Sequence, residues 1–391
     1  MRVHRHMLSA ICVLAALAPA TAAEVPSVPL VHVARVPHGG VQPEVVVDAV
    51  GVLHLVYLTG TPAAADVFYT RSADGGRSFV PPVRVNSQPG SAIAVGTIRG
   101  AQLALDAGGR VHVVWNGSAS AEPKPPVNDG QKPGMPLLYA RSTADAASFE
   151  PQRNLMTGTR HLDGGSSVAA GQDGAVYVAW HGNASDGPEG EQARRVWLAR
   201  SVDHGATFSA EVPISPAATG VCGCCGLRLT ASPHGVHVLY RAATEMVHRD
   251  VYALHSADGG RTFDATAVDA WEIGACPMSS MAIVPGRSAI YAWEHDGQVA
   301  FRAGSAAASS PGAPAVLAPA DRRKHPRLAV DAAGRVLMAW AVGTGWNKGG
   351  SVAWQIFADG AALGHIDTRE GLPVWSFPAV AAVGDGFVVL Y

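Results

Sequence analysis

One fifteen-residue stretch occurs seven times in this chain, and that repeat limits the possible folds more than any other feature. Its clearest copy, Pro326 to Trp340, reads PRLAVDAAGRVLMAW. An apolar strand meets a tight Asp/Gly turn, and a second apolar strand closes on an aromatic residue. The other copies begin at Pro43, Ala101, Ser166, Gly226, Ser279 and Phe377 and align without a gap. They end, like the first, in Trp or Tyr: Tyr57, Trp115, Trp180, Tyr240, Trp293 and Tyr391. Successive starts lie 58, 65, 60, 53, 47 and 51 residues apart. A hairpin cannot bury its apolar face alone. Copies at this period bury it by stacking around an axis, which is the β-propeller solution.

Two more strands follow the first repeat, over Val67 to Ser72 and Val80 to Val85. Each full unit therefore reads as four antiparallel strands, A to D, forming one blade. The chain stops after the A and B strands of a seventh unit. A β-prone run, Leu30 to Val36, precedes the first repeat and has no hairpin partner of its own. Pairing it with the last unit closes the ring and removes two exposed edges. The expectation is an all-β propeller of seven blades of four-stranded antiparallel type, the last built from the N- and C-terminal strands together. A ring of six is the alternative, and it leaves one hairpin outside.

A second motif sits at the C–D turns: SADGGRSF (Ser72 to Phe79), SVDHGATF (Ser201 to Phe208) and SADGGRTF (Ser256 to Phe263). STADAASF (Ser142 to Phe149) is a degenerate copy. In these turns Asp74, Asp203 and Asp258 accept hydrogen bonds from nearby backbone amides, Gly supplies a positive φ, and the aromatic packs between strands. The spacing resembles the Asp box, or BNR repeat, of the sialidase-like propeller superfamily. The resemblance implies the fold and a structural role for these aspartates. Sialidases of that superfamily have six blades, hold the substrate carboxylate with three arginines, and use a Tyr–Glu nucleophile with an Asp acid/base. They also carry an aromatic-Arg-Ile-Pro motif, of which Ala34-Arg35-Val36-Pro37 keeps Arg and Pro. Arg228, Arg241 and Arg327 are the arginines that such a clamp would use here. No Tyr/Glu pair or acid/base Asp is assigned by motif.

Composition narrows the partners. Only 15% of residues are charged and the formal net charge is −2, with no basic stripe, so a nucleic-acid partner is not expected. Arg2 and Arg5, the apolar run Met7 to Leu17 and the small residues Ala20-Thr21-Ala22 read as a signal peptide over residues 1–23. Its removal takes away two positive charges and moves the net charge from −2 to −4. Residues 24–391 then form a single propeller domain, exported to the periplasm or secreted. No later stretch has eighteen uninterrupted apolar residues, so no membrane span is expected. A monomer is expected.

Antiparallel topology sorts the loops into two sets. The A–B and C–D turns share one face; the D–A and B–C loops share the other, at the mouth of the central channel, where function is expected. All four cysteines beyond the signal segment fall in two neighbouring D–A loops. Val221-Cys222-Gly223-Cys224-Cys225-Gly226 enters blade four, and the loop with Cys276 enters blade five. Three readings remain open for Cys222, Cys224, Cys225 and Cys276. Two disulfides would stiffen the mouth of an exported protein. Thiolates would hold copper(I) or zinc, with Met278, Met281, His248 and Glu245 as further candidates. Cys222 and Cys225 also have the C-x-x-C spacing of a redox pair. Arg228, Arg241, Arg327, Trp271 and Glu294 are candidate contacts for a small molecule or glycan at the same mouth. The chain thus reads as a ligand-binding module for carbohydrate or metal. The alternative is a glycoside hydrolase of the exo-α-sialidase class.

Overall fold

The computed structural model describes residues 28–127, 132, 134–286, 289–303 and 322–391. The signal-peptide reading of residues 1–23 lies outside them. The described residues form seven β-sheets arranged as the blades of a propeller. Five of these contain a run of four antiparallel strands, as the repeat predicts. Blade one, for example, runs through Val41–Val47, Leu53–Thr61, Ala64–Ser72 and Val83–Arg84. Blade three carries an additional short strand, Thr159–Arg160, against its second strand.

The remaining two blades differ from the four-stranded expectation. Blade five has three strands among the described residues, ending with Gln298–Ala303. Blade seven joins Ala379–Val383 and Gly386–Leu390 to the N-terminal strand Val31–Ala34. That last pairing is parallel, with Val31 opposite Phe387 and Ala34 opposite Leu390. The N-terminal run arrives from a neighbouring part of the ring and not from a hairpin, so no tight turn forces it to be antiparallel. Flanking bonds lock it in place, Val36 N to Tyr391 O at 2.9 Å and Tyr391 N to Ala34 O at 3.1 Å. The seven-blade expectation holds, and so does closure by the N-terminal strand.

The closing aromatics explain why the repeat ends as it does. Tyr57, Trp115, Trp180, Tyr240 and Trp340 are at most 1% exposed, and Trp293 and Tyr391 are also buried. Each fills the space between adjacent sheets. Trp115, for instance, packs with Val56 and Tyr69 of blade one and with Val113 and Leu138 of its own blade. Burying a ring of this size removes roughly 150–250 Å² from water, worth about 4–6 kcal/mol at ~25 cal/mol/Å².

The recurring C–D turns are closed by their own side chains. Asp258 Oδ1 accepts the Arg261 and Thr262 amides at 2.9 and 3.0 Å, and Oδ2 accepts the Thr262 hydroxyl at 2.7 Å. Ser256 Oγ donates to Asp258 and accepts the Gly260 amide at 2.8 Å. Asp74 and Asp203 are held the same way. These donors keep all three carboxyls well below the usual carboxylate range; the Ser78 and Thr207 hydroxyls lead for Asp74 and Asp203, and the Thr262 amide for Asp258. Gly205, at φ +71°, cannot be replaced without strain, and a Cβ there would collide with the Tyr139 hydroxyl of the neighbouring blade. The turn aromatic packs against that same tyrosine, with Phe208 edge-on to Tyr139 at 4.9 Å.

The seven innermost strands line a central channel of about 480 Å³. Its lining runs along each strand toward the A–B turns, from Glu44 to Val47 in blade one and from Arg327 to Val330 in blade six.

Candidate functional site

The loop Val221 to Gly226 is fixed by its neighbours before any sulfur chemistry begins. Cys222 N donates to Arg241 O at 2.9 Å, and Gly226 N donates to Ser279 O at 3.0 Å. Gly223 N donates to Glu191 Oε1 at 2.6 Å. The buried His181 sets its Nε2 against Cys225 O at 3.2 Å. Burial, and next the Arg194 guanidinium, push the His181 pKa down to about 4, so the ring is neutral and Nε2 is its donor. Three blades therefore hold one short loop.

The result is a sulfur cluster. The Sγ atoms of Cys222, Cys224 and Cys225 all lie within 4.8 Å of one another. The Cys222 thiol faces Cys225 Sγ at 2.9 Å and Cys224 Sγ at 3.4 Å. Cys224 also lies within 4.8 Å of Cys276 Sγ and of a Glu191 carboxylate oxygen. Cys222 and Cys225 are buried, Cys224 is half-buried and Cys276 is exposed; all four are free thiols in this structure. Burial opposes ionisation of Cys225, but hydrogen bonds from Cys222 and Cys224, and the Arg241 guanidinium, bring its pKa well below the usual thiol value. Its contacts with Cys222 and Cys225, and next burial, push the Cys224 thiol up. Cys225 is thus the sulfur of the cluster most disposed to ionise.

Two buried arginines border the sulfurs. Arg249 pairs through Nη2 with Glu191 Oε2 at 2.9 Å, while its Nε and Nη1 have no hydrogen-bond partner among the described residues. Arg241 donates to Arg249 O at 2.7 Å and Glu294 O at 2.6 Å, and lies 5.0 Å over the Trp271 ring. Glu294 is buried; its Oε1 accepts the Gly297 amide at 2.9 Å and its Oε2 has no partner among the described residues. Burial raises the Glu294 pKa. Trp271 is also buried, stacked on His295 at 5.0 Å, so it offers no open platform.

The candidate contacts named from sequence divide into two groups. Arg241, Trp271 and Glu294 belong to the wall of the sulfur cluster. Arg228 and Arg327 instead meet at the channel axis. There Glu44, from the opposite side of the ring, pairs with Arg228 at 2.7 Å and lies 3.9 Å from Arg327. Arg327 also sits 4.4 Å over the Phe377 ring. Against this layer lies a narrow space of about 10 Å³, lined among others by Gly165, Leu227, Ser280 and Phe377. The expected three-arginine clamp does not assemble: Arg241 is elsewhere, and a carboxylate of the protein already occupies the other two. Met281 packs with Leu239 and Trp293 in the core rather than serving the sulfurs.

Two residues of the site, Glu191 and His181, are absent from the sequence expectation. Glu191 lies in a Gly- and acid-rich stretch between the B and C strands of blade three, which reads as a solvated loop. His181 does carry a signal. It follows the closing aromatic directly, as do Asn116, Arg241 and Glu294, and all four are polar and at most 2% exposed. A polar residue at that register is held by loops of the mouth face.

No family model matches this chain, and no curated protein matches its sequence. Solved structures do share its fold. A lectin of Aleuria aurantia in complex with Fucα1-6GlcNAc matches with a TM-score of 0.50 at 10% identity, over 86% of this chain and 96% of that one. The α-L-arabinanase of Penicillium chrysogenum complexed with arabinobiose matches with a TM-score of 0.50 at 14% identity, over 84% and 96%. The NanB sialidase of Streptococcus pneumoniae matches with a TM-score of 0.49 at 9% identity; 76% of this chain covers 64% of that one. The lectin and arabinanase likenesses define the class by fold alone: a β-propeller.

Proposed function

We propose that this chain is an exported, Asp-box propeller whose mouth-face thiol cluster binds a soft metal ion. Cys222, Cys224 and Cys225 supply three sulfurs from one loop, with Cys276 and Glu191 at the open side. One observation carries the reading: two three-ligand groups, Cys222/Cys224/Cys225 and Glu191/Cys224/Cys276, share Cys224, and within each the ligand atoms lie inside 4.8 Å of one another. Three sulfurs at one point suit copper(I); four suit zinc as well. The buried guanidiniums of Arg241 and Arg249 offset the negative charge that metal-bound thiolates carry.

The test is a titration of purified, reduced protein with copper(I) against a chromophoric chelator, and with zinc in parallel. One tightly held ion per chain, lost on Cys224→Ser and weakened on Cys276→Ser, is expected. A protein whose native mass shows two disulfides, and which takes up neither ion after reduction, overturns the metal reading.

A glycan is the second reading. Trp346 is half-exposed on the same face, 6.1 Å from Trp375, and such rings stack on sugars. It also rests on propellers of this architecture that are lectins and glycosidases. Glycoside hydrolysis has less support than binding, because Glu44 fills the arginine clamp that a sialidase would leave open.

A further inference from the structure

The central channel is a second candidate site, independent of the sulfur cluster and facing the other way. Its wall is built from the seven innermost strands, and among the described lining residues only three are charged: Glu44, Arg228 and Arg327. They lie together at one end of the channel, where each is the first lining residue of its strand. Val46 and Thr230 follow on the same strand faces as Glu44 and Arg228, two residues along. From there to the A–B turns the lining is mostly Val, Ala, Leu and Ile.

The charges do not balance. Two guanidiniums share one carboxylate, which leaves one positive charge in excess on two largely buried side chains. Arg228 is 8% exposed and Arg327 is 5% exposed. Arg228 Nε donates to Met281 O at 3.1 Å, and Arg327 Nη1 reaches Ser280 Oγ at 3.3 Å. Arg327 Nε has no hydrogen-bond partner among the described residues. A buried unbalanced cation is costly unless an anion accompanies it. On the far side the packing of Gly165, Leu227, Ser280 and Phe377 leaves only about 10 Å³. The wide approach to these guanidiniums is therefore the channel of about 480 Å³ that runs to the A–B turn end.

We propose that the channel binds a small monocarboxylate with an unbranched apolar tail. The carboxylate sits against Arg228 and Arg327 beside Glu44, and the tail lies along the aliphatic wall. The volume of about 480 Å³ admits a chain of medium length and excludes a folded partner. The end of the channel sets the charge of the ligand, and the wall sets its tail.

Calorimetric titration of the whole protein with acetate, butyrate, hexanoate and octanoate tests this, with octanol and octyltrimethylammonium as controls. Affinity is expected to rise with length, by about fourfold per methylene until the channel is full. Octanol is expected at least tenfold weaker than octanoate, and the ammonium should not bind. Arg327→Gln should bring octanoate to the level of octanol. If that variant fails to fold, Thr230→Trp serves instead: it narrows the channel, leaves the charged end intact, and should abolish octanoate binding without changing copper uptake. Octanol binding as tightly as octanoate would make the channel merely apolar. Acetate or chloride binding as tightly as octanoate would make it an ion site without a tail. Either result, or no binding of octanoate at all, overturns the proposal.

Discussion

The Glu191 carboxylate joins two blades by using both oxygens: one accepts the Gly223 amide at 2.6 Å, and the other pairs with the Arg249 guanidinium at 2.9 Å. It thereby fixes the middle of the Cys222–Cys225 loop and neutralises part of a buried cation. Glu191→Ala should leave Arg249 buried and unpaired, at a cost of roughly 2–4 kcal/mol. The urea midpoint should fall, and copper(I) affinity should fall with it. Glu191→Gln, which keeps an acceptor for Gly223, should recover part of the affinity but not the stability.

His237 gives the fold a sensitivity to acid. Burial, and next the neighbouring His255 and His234, push its pKa down from 6.5 to about 4. Between those values the unfolded chain binds a proton that the folded chain does not. Stability is therefore full above about pH 6.5 and declines as pH falls toward about 4. Urea midpoints measured at steps across this window should decline with falling pH. His237→Leu should flatten the slope by about one proton's equivalent.

Trp340 tests the role of the closing aromatics. It is 1% exposed and lies under the Arg323 guanidinium at 5.0 Å. Trp340→Ala should cost about 3–5 kcal/mol by leaving a cavity between blades five and six, where the ring packs with Ala292 and Val299, while Trp340→Phe should cost much less. Denaturant titration distinguishes the two. An equal loss for both would mean that the ring's volume is not what matters.

The N-terminal strand should behave as the lock of the ring. Removing residues 1–36 takes away the parallel partner of Gly386–Leu390 and leaves two strands in blade seven. The truncated protein is expected to show a lower unfolding midpoint and to self-associate through the bared edge. Light scattering and size-exclusion chromatography measure this directly. A monomer of unchanged midpoint would show that the strand is dispensable.

A single variant separates the C–D turns from the site. Asp258→Asn keeps the size of the side chain but replaces an acceptor-only group that takes three hydrogen bonds from residues 261 and 262. It should lower stability modestly and leave metal uptake unchanged, because this turn lies on the face opposite the cysteines. Loss of metal uptake would contradict that separation.

Much of the fold was legible in the chain because propeller blades are local objects. The repeat from Pro326 to Trp340 writes strand, turn and closing aromatic in one continuous segment, and its seven copies set the number of blades. The Ser-x-Asp turns are equally local, since Asp74, Asp203 and Asp258 bond mainly within their own turns. The gathering of Cys222, Cys224, Cys225 and Cys276 on one face also followed from loop order alone. Tertiary structure decided the rest. Glu191 joins the cysteines from another blade, and Glu44 meets Arg228 across 184 positions of sequence. No local pattern encodes either contact, because ring closure sets the distance between blades and burial sets the strength of each charge. The same closure paired the N-terminal strand in parallel with the last one, sent Arg241 to the sulfurs instead of the axis, and narrowed the space beyond Arg228 and Arg327.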